Sequence, residues 1–120
     1  MAYFFDSYAV IAQLEGNPSY ARFSQEYPTI TIFNLAEIYW TVTHTLSESE
    51  ANLIYEKYAS CVVSIPDDIL KEAIKFRKLH KKKNLSYTDC IGYIYALKNN
   101  MKFLTGDQQF EHLPNVEFVK

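Results

Sequence analysis

Four acidic residues stand where the sequence changes from one kind of element to another. Asp6 follows the apolar run at 2–5, and Glu37 lies in a helical segment after the β-branched run at 29–33. Asp89 closes the motif Ser86-Tyr-Thr-Asp89, and Asp107 follows the run at 102–105. Carboxylates gathered within a few ångströms repel one another, which raises some of their pKa values. A hard divalent cation, Mg²⁺ or Mn²⁺, removes that conflict because it prefers oxygen ligands and retains waters. The chemistry to which such a cluster points is metal-assisted phosphodiester hydrolysis. Each acid taken singly also suits a helix cap: Asp at a strand-to-helix junction, Asn34-x-x-Glu37 and Ser86-x-x-Asp89 are ordinary capping arrangements. Spacing alone leaves a metal site and four caps both open.

The elements that must position these residues can be read in order. The run at 2–5 is apolar without alternation, as in a strand buried on both faces. Asp6-Ser7 opens a helix through Ala9, Val10 and Leu14, and Gly16-Asn17-Pro18 ends it. A short helix over 19–26 precedes a strand at 29–33. Asn34 is expected to cap the next helix, with Leu35, Ile38, Tyr39, Val42 and Leu46 on its apolar face. Ser47 and Glu50 form a capping box for a further helix. Residues 61–65 read as a third strand, and Pro66 starts a helix that ends in the basic run at 77–83. The last helix starts at Ser86, with Cys90, Ile91, Ile94 and Leu97 as its apolar face, and closes at Asn99-Asn100. A strand at 102–105, a helical turn at 108–112 and a strand at 116–119 complete the chain. Short strands alternating with helices predict an α/β domain around a parallel sheet of four to five strands. In such a sheet functional groups gather at the carboxyl ends of the strands, the edge at which all four acids fall.

Composition bounds the possibilities. A chain of 120 residues with 48% apolar content supports one domain, 1–120, with a single core. No charged leader precedes an apolar segment and no apolar run approaches membrane-spanning length, so a soluble cytoplasmic protein with no membrane association is expected. Cys61 and Cys90 are too few for a disulfide framework, and His44, His80 and His112 share no ligand spacing. The net charge of −2 hides an asymmetry, since seven of the twelve Lys and Arg residues lie between Lys71 and Lys83. The run containing Lys81, Lys82 and Lys83 reads either as a solvated helix end, where cations suit the dipole, or as a contact surface for RNA phosphates. Tyr39 and Trp40 lie beside Glu37; an exposed Trp40 would mark a partner surface.

Phe4-Phe-Asp-Ser7, Asn34-Leu-Ala-Glu37, Thr88-Asp89 and Thr105-Gly-Asp-Gln-Gln-Phe110 occur in an order and at a chain length that resemble the PIN-domain ribonucleases. Within that family they resemble the short VapC-like toxins of prokaryotic toxin–antitoxin modules. The resemblance implies a three-layer α/β/α fold and an Mg²⁺- or Mn²⁺-dependent endoribonuclease. Asp6, Glu37, Asp89 and Asp107 would form its acidic metal site, with Ser7 and Thr105 as hydrogen-bonding support. RNA would be the substrate, a small antitoxin protein the partner, and a homodimer the assembly. After Asp89 the family often has small residues, where this chain has Gly92, Tyr93, Ile94 and Tyr95. A non-catalytic PIN-like module that binds RNA or protein is the alternative. A receiver-type phosphate-handling domain is disfavoured, because the late-strand Lys expected of receivers is missing.

Overall fold

Alternate residues of two short strands divide the core between the two faces of one sheet. In the computed structural model, which describes residues 2–120, β1 (Tyr3–Phe5), β2 (Lys102–Thr105) and β3 (Val116–Phe118) pair in parallel in the order β1-β2-β3. Successive side chains of a strand point to opposite faces. Phe5 and Leu104 therefore join one cluster with α1 (Ser7–Leu14), a 3₁₀ segment at Pro18–Phe23, α2 (Ile32–Thr43) and α3 (Glu48–Ala59). Phe4 and Phe103 join the other with α4 (Asp67–Leu79) and α5 (Tyr87–Lys98). The result is helices, sheet and helices in three layers, with strands buried on both faces as a parallel sheet requires.

The sheet is narrower than the four to five strands that the sequence implies. Residues 29–33 contribute only single bridges, Phe4 with Thr29 and Ile30 with Val62. Residues 61–65 likewise pair only around Val62, with the Val63 amide donating to the Ile30 carbonyl at 2.9 Å. Competition at Thr31 explains this. Its hydroxyl accepts from the Asn34 amide, and the Asn34 side chain accepts from the Thr31 amide, so a capping box starts α2 at Ile32. The cap is thus Thr31, not Asn34, and the would-be strand is cut to two residues. Ile32 and Phe33 become helical and remain 52% and 44% exposed. Cys61 follows α3 in a turn, buried but outside any strand.

Two further expectations shift. Helix α4 ends at Leu79, so only Arg77 and Lys78 sit in its last turn, and Lys81, Lys82 and Lys83 follow in a turn. On α5, Cys90, Ile91 and Ile94 are buried while Leu97 is exposed. The capping boxes at Ser47/Glu50 and Ser86/Asp89 form as the sequence indicates. Gly92 lets α5 lie close to the sheet: a Cβ there would sit 2.6 Å from Phe4 Cε1 and 3.2 Å from Phe103 Cε1. Among the described residues no helix is long and apolar enough to cross a membrane.

Candidate active site

Each acid owes its position to a local event in the chain. Asp6 is the N-cap of α1: its Oδ1 accepts from the Ser7 amide at 2.9 Å, while the Asp6 amide continues the strand by donating to the Leu104 carbonyl. Asp89 is the N3 residue of α5, where its Oδ2 accepts from the Ser86 amide at 3.0 Å. Asp107 caps the 3₁₀ turn at Gln108–Phe110 through the Gln109 amide. Glu37 lies in the second turn of α2. These four carboxylates, with Ser7, line one open cavity of about 520 Å³. Tyr8, Gly106, Gln108, Gln109 and Lys120 complete its wall. All four acids lie at the carboxyl-end edge of the sheet, where helix N-termini add positive potential.

Beneath the cavity runs a chain of hydrogen bonds. The Thr31 hydroxyl donates to Asn34 Oδ1 at 2.9 Å, and Asn34 Nδ2 donates to Ser7 Oγ at 3.0 Å. Ser7 Oγ donates in turn to Glu37 Oε1 at 2.6 Å. On the other side Thr105 Oγ1 donates to Asp6 Oδ2 at 2.7 Å and accepts from the Asp107 amide at 3.0 Å. Thr31, Asn34 and Thr105 are buried, so these contacts hold two carboxylates in fixed orientations without lining the cavity. Asn34 is the residue whose setting the sequence misrepresents. It reads as a helix cap, whereas its side chain ties the α2 start to Ser7, a contact between residues 27 positions apart.

The electrostatics are those of crowded acids. Asp6 is only 4% exposed, and its pKa rises from 3.8 to about 7. Burial is the main cause; the Asp89 and Glu37 charges raise it further, and the hydrogen bonds from Thr105 and Ser7 pull the other way. Burial also raises Glu37, with Asp89 adding to the rise and the Ser7 and Thr88 hydroxyls opposing it. Asp89 is raised by burial and by Asp107, against the hydrogen bonds from Ser86. Among the described residues none of the four forms an ion pair, and Lys120 is the only cation in the cavity wall.

A hard cation suits this donor chemistry, because it would offset the repulsion that holds the pKa values up. Among the described residues no three His, Cys, Asp or Glu side chains are grouped so that they could hold a metal ion together.

The lysines of the basic run fare unequally. Lys83 Nζ donates to the carbonyl of Gln109, in the cavity wall, at 3.3 Å. Lys81 and Lys83 line a second cavity on the α4 side, while Lys82 is exposed and lines neither.

Residues 3–116 match the PIN domain family, and the chain belongs to it. Its fold is similar to that of a toxin–antitoxin complex from Klebsiella pneumoniae, with a TM-score of 0.74, 17% identity, and coverage of 98% of this chain and 96% of that one. It is also similar to VapBC2 from Rickettsia felis, solved bound to a DNA fragment from the VapBC2 promoter, with a TM-score of 0.72, 17% identity and full coverage of both chains. VapBC-1 from nontypeable Haemophilus influenzae gives a TM-score of 0.71 at 17% identity, covering 98% of this chain and 96% of that one. No curated protein matches the chain in sequence.

Proposed function

We propose that the chain is an Mg²⁺- or Mn²⁺-dependent endoribonuclease and the toxin of a VapBC-type toxin–antitoxin pair. The observation that carries this reading is the meeting of four carboxylates, from separate parts of the chain, in one cavity where burial and mutual repulsion hold Asp6 near neutrality. Family membership supports it, since PIN domains of such toxins are generally nucleases that depend on a divalent metal. Asp6, Glu37, Asp89 and Asp107 would hold the metal, which supplies a Lewis acid for a phosphate oxygen and a more acidic water. Thr105 and the Ser7 amide orient Asp6, and Ser7 Oγ, itself held by Asn34, orients Glu37. Lys83, at the cavity rim, and Lys81 and Lys82 beyond it offer charge to RNA phosphates. Among the described residues the wall holds no His or Cys nucleophile, so the protein's own work would be positioning and charge neutralisation.

The antitoxin partner of this proposal has a candidate surface. Trp40 is 69% exposed on α2, and Ile32, Phe33 and Leu53 are exposed as well. Ile32 and Phe33 also wall a largely apolar cavity of about 400 Å³ with Val62, Val63, Ile65 and Leu70. Apolar surface of this kind marks partner sites, and either the antitoxin or a second copy in a homodimer would cover it.

Cleavage is the test. With Mg²⁺ or Mn²⁺ the purified protein cuts single-stranded RNA, EDTA stops it, and Asp6→Asn or Asp107→Asn abolishes it in a folded protein. Cleavage that persists in EDTA and in both variants would refute the reading. Metal-independent binding with no cleavage across a broad RNA panel would favour the binding-module alternative.

A further inference from the structure

The second cavity, about 350 Å³, has Arg77, Lys78, Lys81, Lys83, Asn84 and Tyr87 in its wall and, among the described residues, no acidic one. Arg77 and Lys78 sit in the last turn of α4, where cations suit the dipole, Lys81 and Lys83 follow it, and among the described residues none of the four cations forms an ion pair.

One wall of this cavity is an aromatic ring. The Arg77 guanidinium carbon lies 4.2 Å from the centroid of the Tyr87 ring, and Arg77 Nε donates to the Leu85 carbonyl at 3.0 Å. One face of the ring is thus covered by a cation that the backbone holds in place. Tyr87 is nevertheless 57% exposed, which leaves ring surface open to solvent. Tyr87 is also the first residue of α5, two positions before Asp89, so one helix start presents a carboxylate to one cavity and a ring to the other. Lys83 joins the two, lining the basic cavity while donating to Gln109 in the wall of the acidic one.

We propose that the basic cavity is a nucleotide subsite continuous with the carboxylate site, in which an unpaired base of the RNA stacks on Tyr87 while Arg77, Lys78, Lys81 and Lys83 receive its flanking phosphates. This rests on the ribonuclease reading and narrows its substrate. A base can stack on a protein ring only after leaving its own helix, so the subsite selects single strands and loops over duplexes. An acidic protein segment would satisfy the four cations, and the exposed ring beside them adds a stacking surface of the kind that any unpaired base can use. The ring beside the cations favours the nucleic acid.

The test is binding in EDTA, where the nuclease reading predicts no cleavage. Short single-stranded RNAs carry the fluorescent base 2-aminopurine at each position in turn, because stacking on an aromatic ring quenches it. At one or two positions the wild-type protein quenches the probe. Tyr87→Ala removes that quenching and weakens binding roughly ten-fold, within the range of base–aromatic stacking. Tyr87→Phe keeps both. Neutralising Lys81 and Lys83 together flattens the salt dependence, by a slope of about 0.7 per lost contact, and leaves the quenching in place. On the unaltered protein, an RNA lacking the base at the quenched position binds about ten-fold more weakly, so the result does not depend on any variant folding. Equal binding of the abasic RNA, or unchanged quenching in Tyr87→Ala, overturns the subsite. Competition by polyglutamate as strong as that by RNA also overturns it, in favour of an acidic protein ligand. Cleavage with Mn²⁺, assayed separately, distinguishes failure of the subsite from failure of the nuclease reading.

Discussion

Replacing Asp6 by Asn is expected to stabilise the metal-free protein, because the ionised carboxylate is a burden on the fold. A pKa of 3.8 in the unfolded chain and about 7 in the folded one corresponds to at most about 4 kcal/mol. Below pH 3.8 both states hold the proton and the site costs nothing. Between there and about pH 7 the unfolded chain releases its proton first, so stability falls as pH rises. Above about pH 7 the whole penalty is present. In Asp6→Asn the side-chain oxygen can keep the Ser7 amide, but the new NH₂ group faces Thr105 Oγ1, which already accepts from the Asp107 amide. Rearranging that contact costs about 1 kcal/mol. The net expectation in EDTA at pH 8 is a gain of about 2–3 kcal/mol, or on the order of 10 °C in Tm. At pH 4 the variant is equal to wild type or slightly less stable. Urea unfolding at the two pH values measures this. A variant less stable than wild type at pH 8, or a difference that ignores pH, would refute the reasoning and make Asp6 a structural cap.

Other substitutions probe the supports of the site and its outer surface. In Gly106→Ala the new Cβ would collide with the Tyr8 ring and lie 2.5 Å from the Val119 carbonyl oxygen. Urea unfolding should register a loss of about 2–3 kcal/mol, with cleavage lost as Thr105 and Asp107 are displaced. Ser7→Ala removes the donor to Glu37 and leaves the buried Asn34 amide without its acceptor. It should cost about 1–2 kcal/mol and raise the Glu37 pKa further, as read by carboxyl NMR titration, because that hydrogen bond lowers it. Trp40→Ser should change stability by less than about 0.5 kcal/mol, since the ring is exposed, yet weaken association with antitoxin or a second copy by calorimetry or light scattering.

The features legible in the sequence are those fixed by near neighbours. The Ser86/Asp89 and Ser47/Glu50 boxes, the Asp6 cap and the turn at Asn99-Asn100 each depend on residues within a few positions, and Asn100 takes φ 55°. A capping role does not keep an acid out of the cavity: Asp89 caps α5 with Oδ2 and still lines it. The features that escaped the sequence depend on distant or competing contacts. Thr29-Ile-Thr-Ile-Phe33 has a strand's composition, but the Thr31–Asn34 box wins two of its residues for α2. The Asn34–Ser7–Glu37 chain joins residues about 30 positions apart, beyond any local pattern. The division of the lysine run between Lys83 at the rim and Lys82 in solvent depends on where α4 stops, at Leu79. Nothing in the run itself marks that point.

The central claim, that the acidic cavity is a metal site, is tested most directly by crystals grown with Mn²⁺ and measured for its anomalous scattering. The expected result is a peak in the cavity, with a carboxylate oxygen of Asp6 and at least one from Glu37, Asp89 or Asp107 at about 2 Å and waters filling the remaining positions. The peak should vanish in Asp6→Asn. Mn²⁺ bound only elsewhere on the surface, or a cavity peak unchanged in that variant, would contradict it.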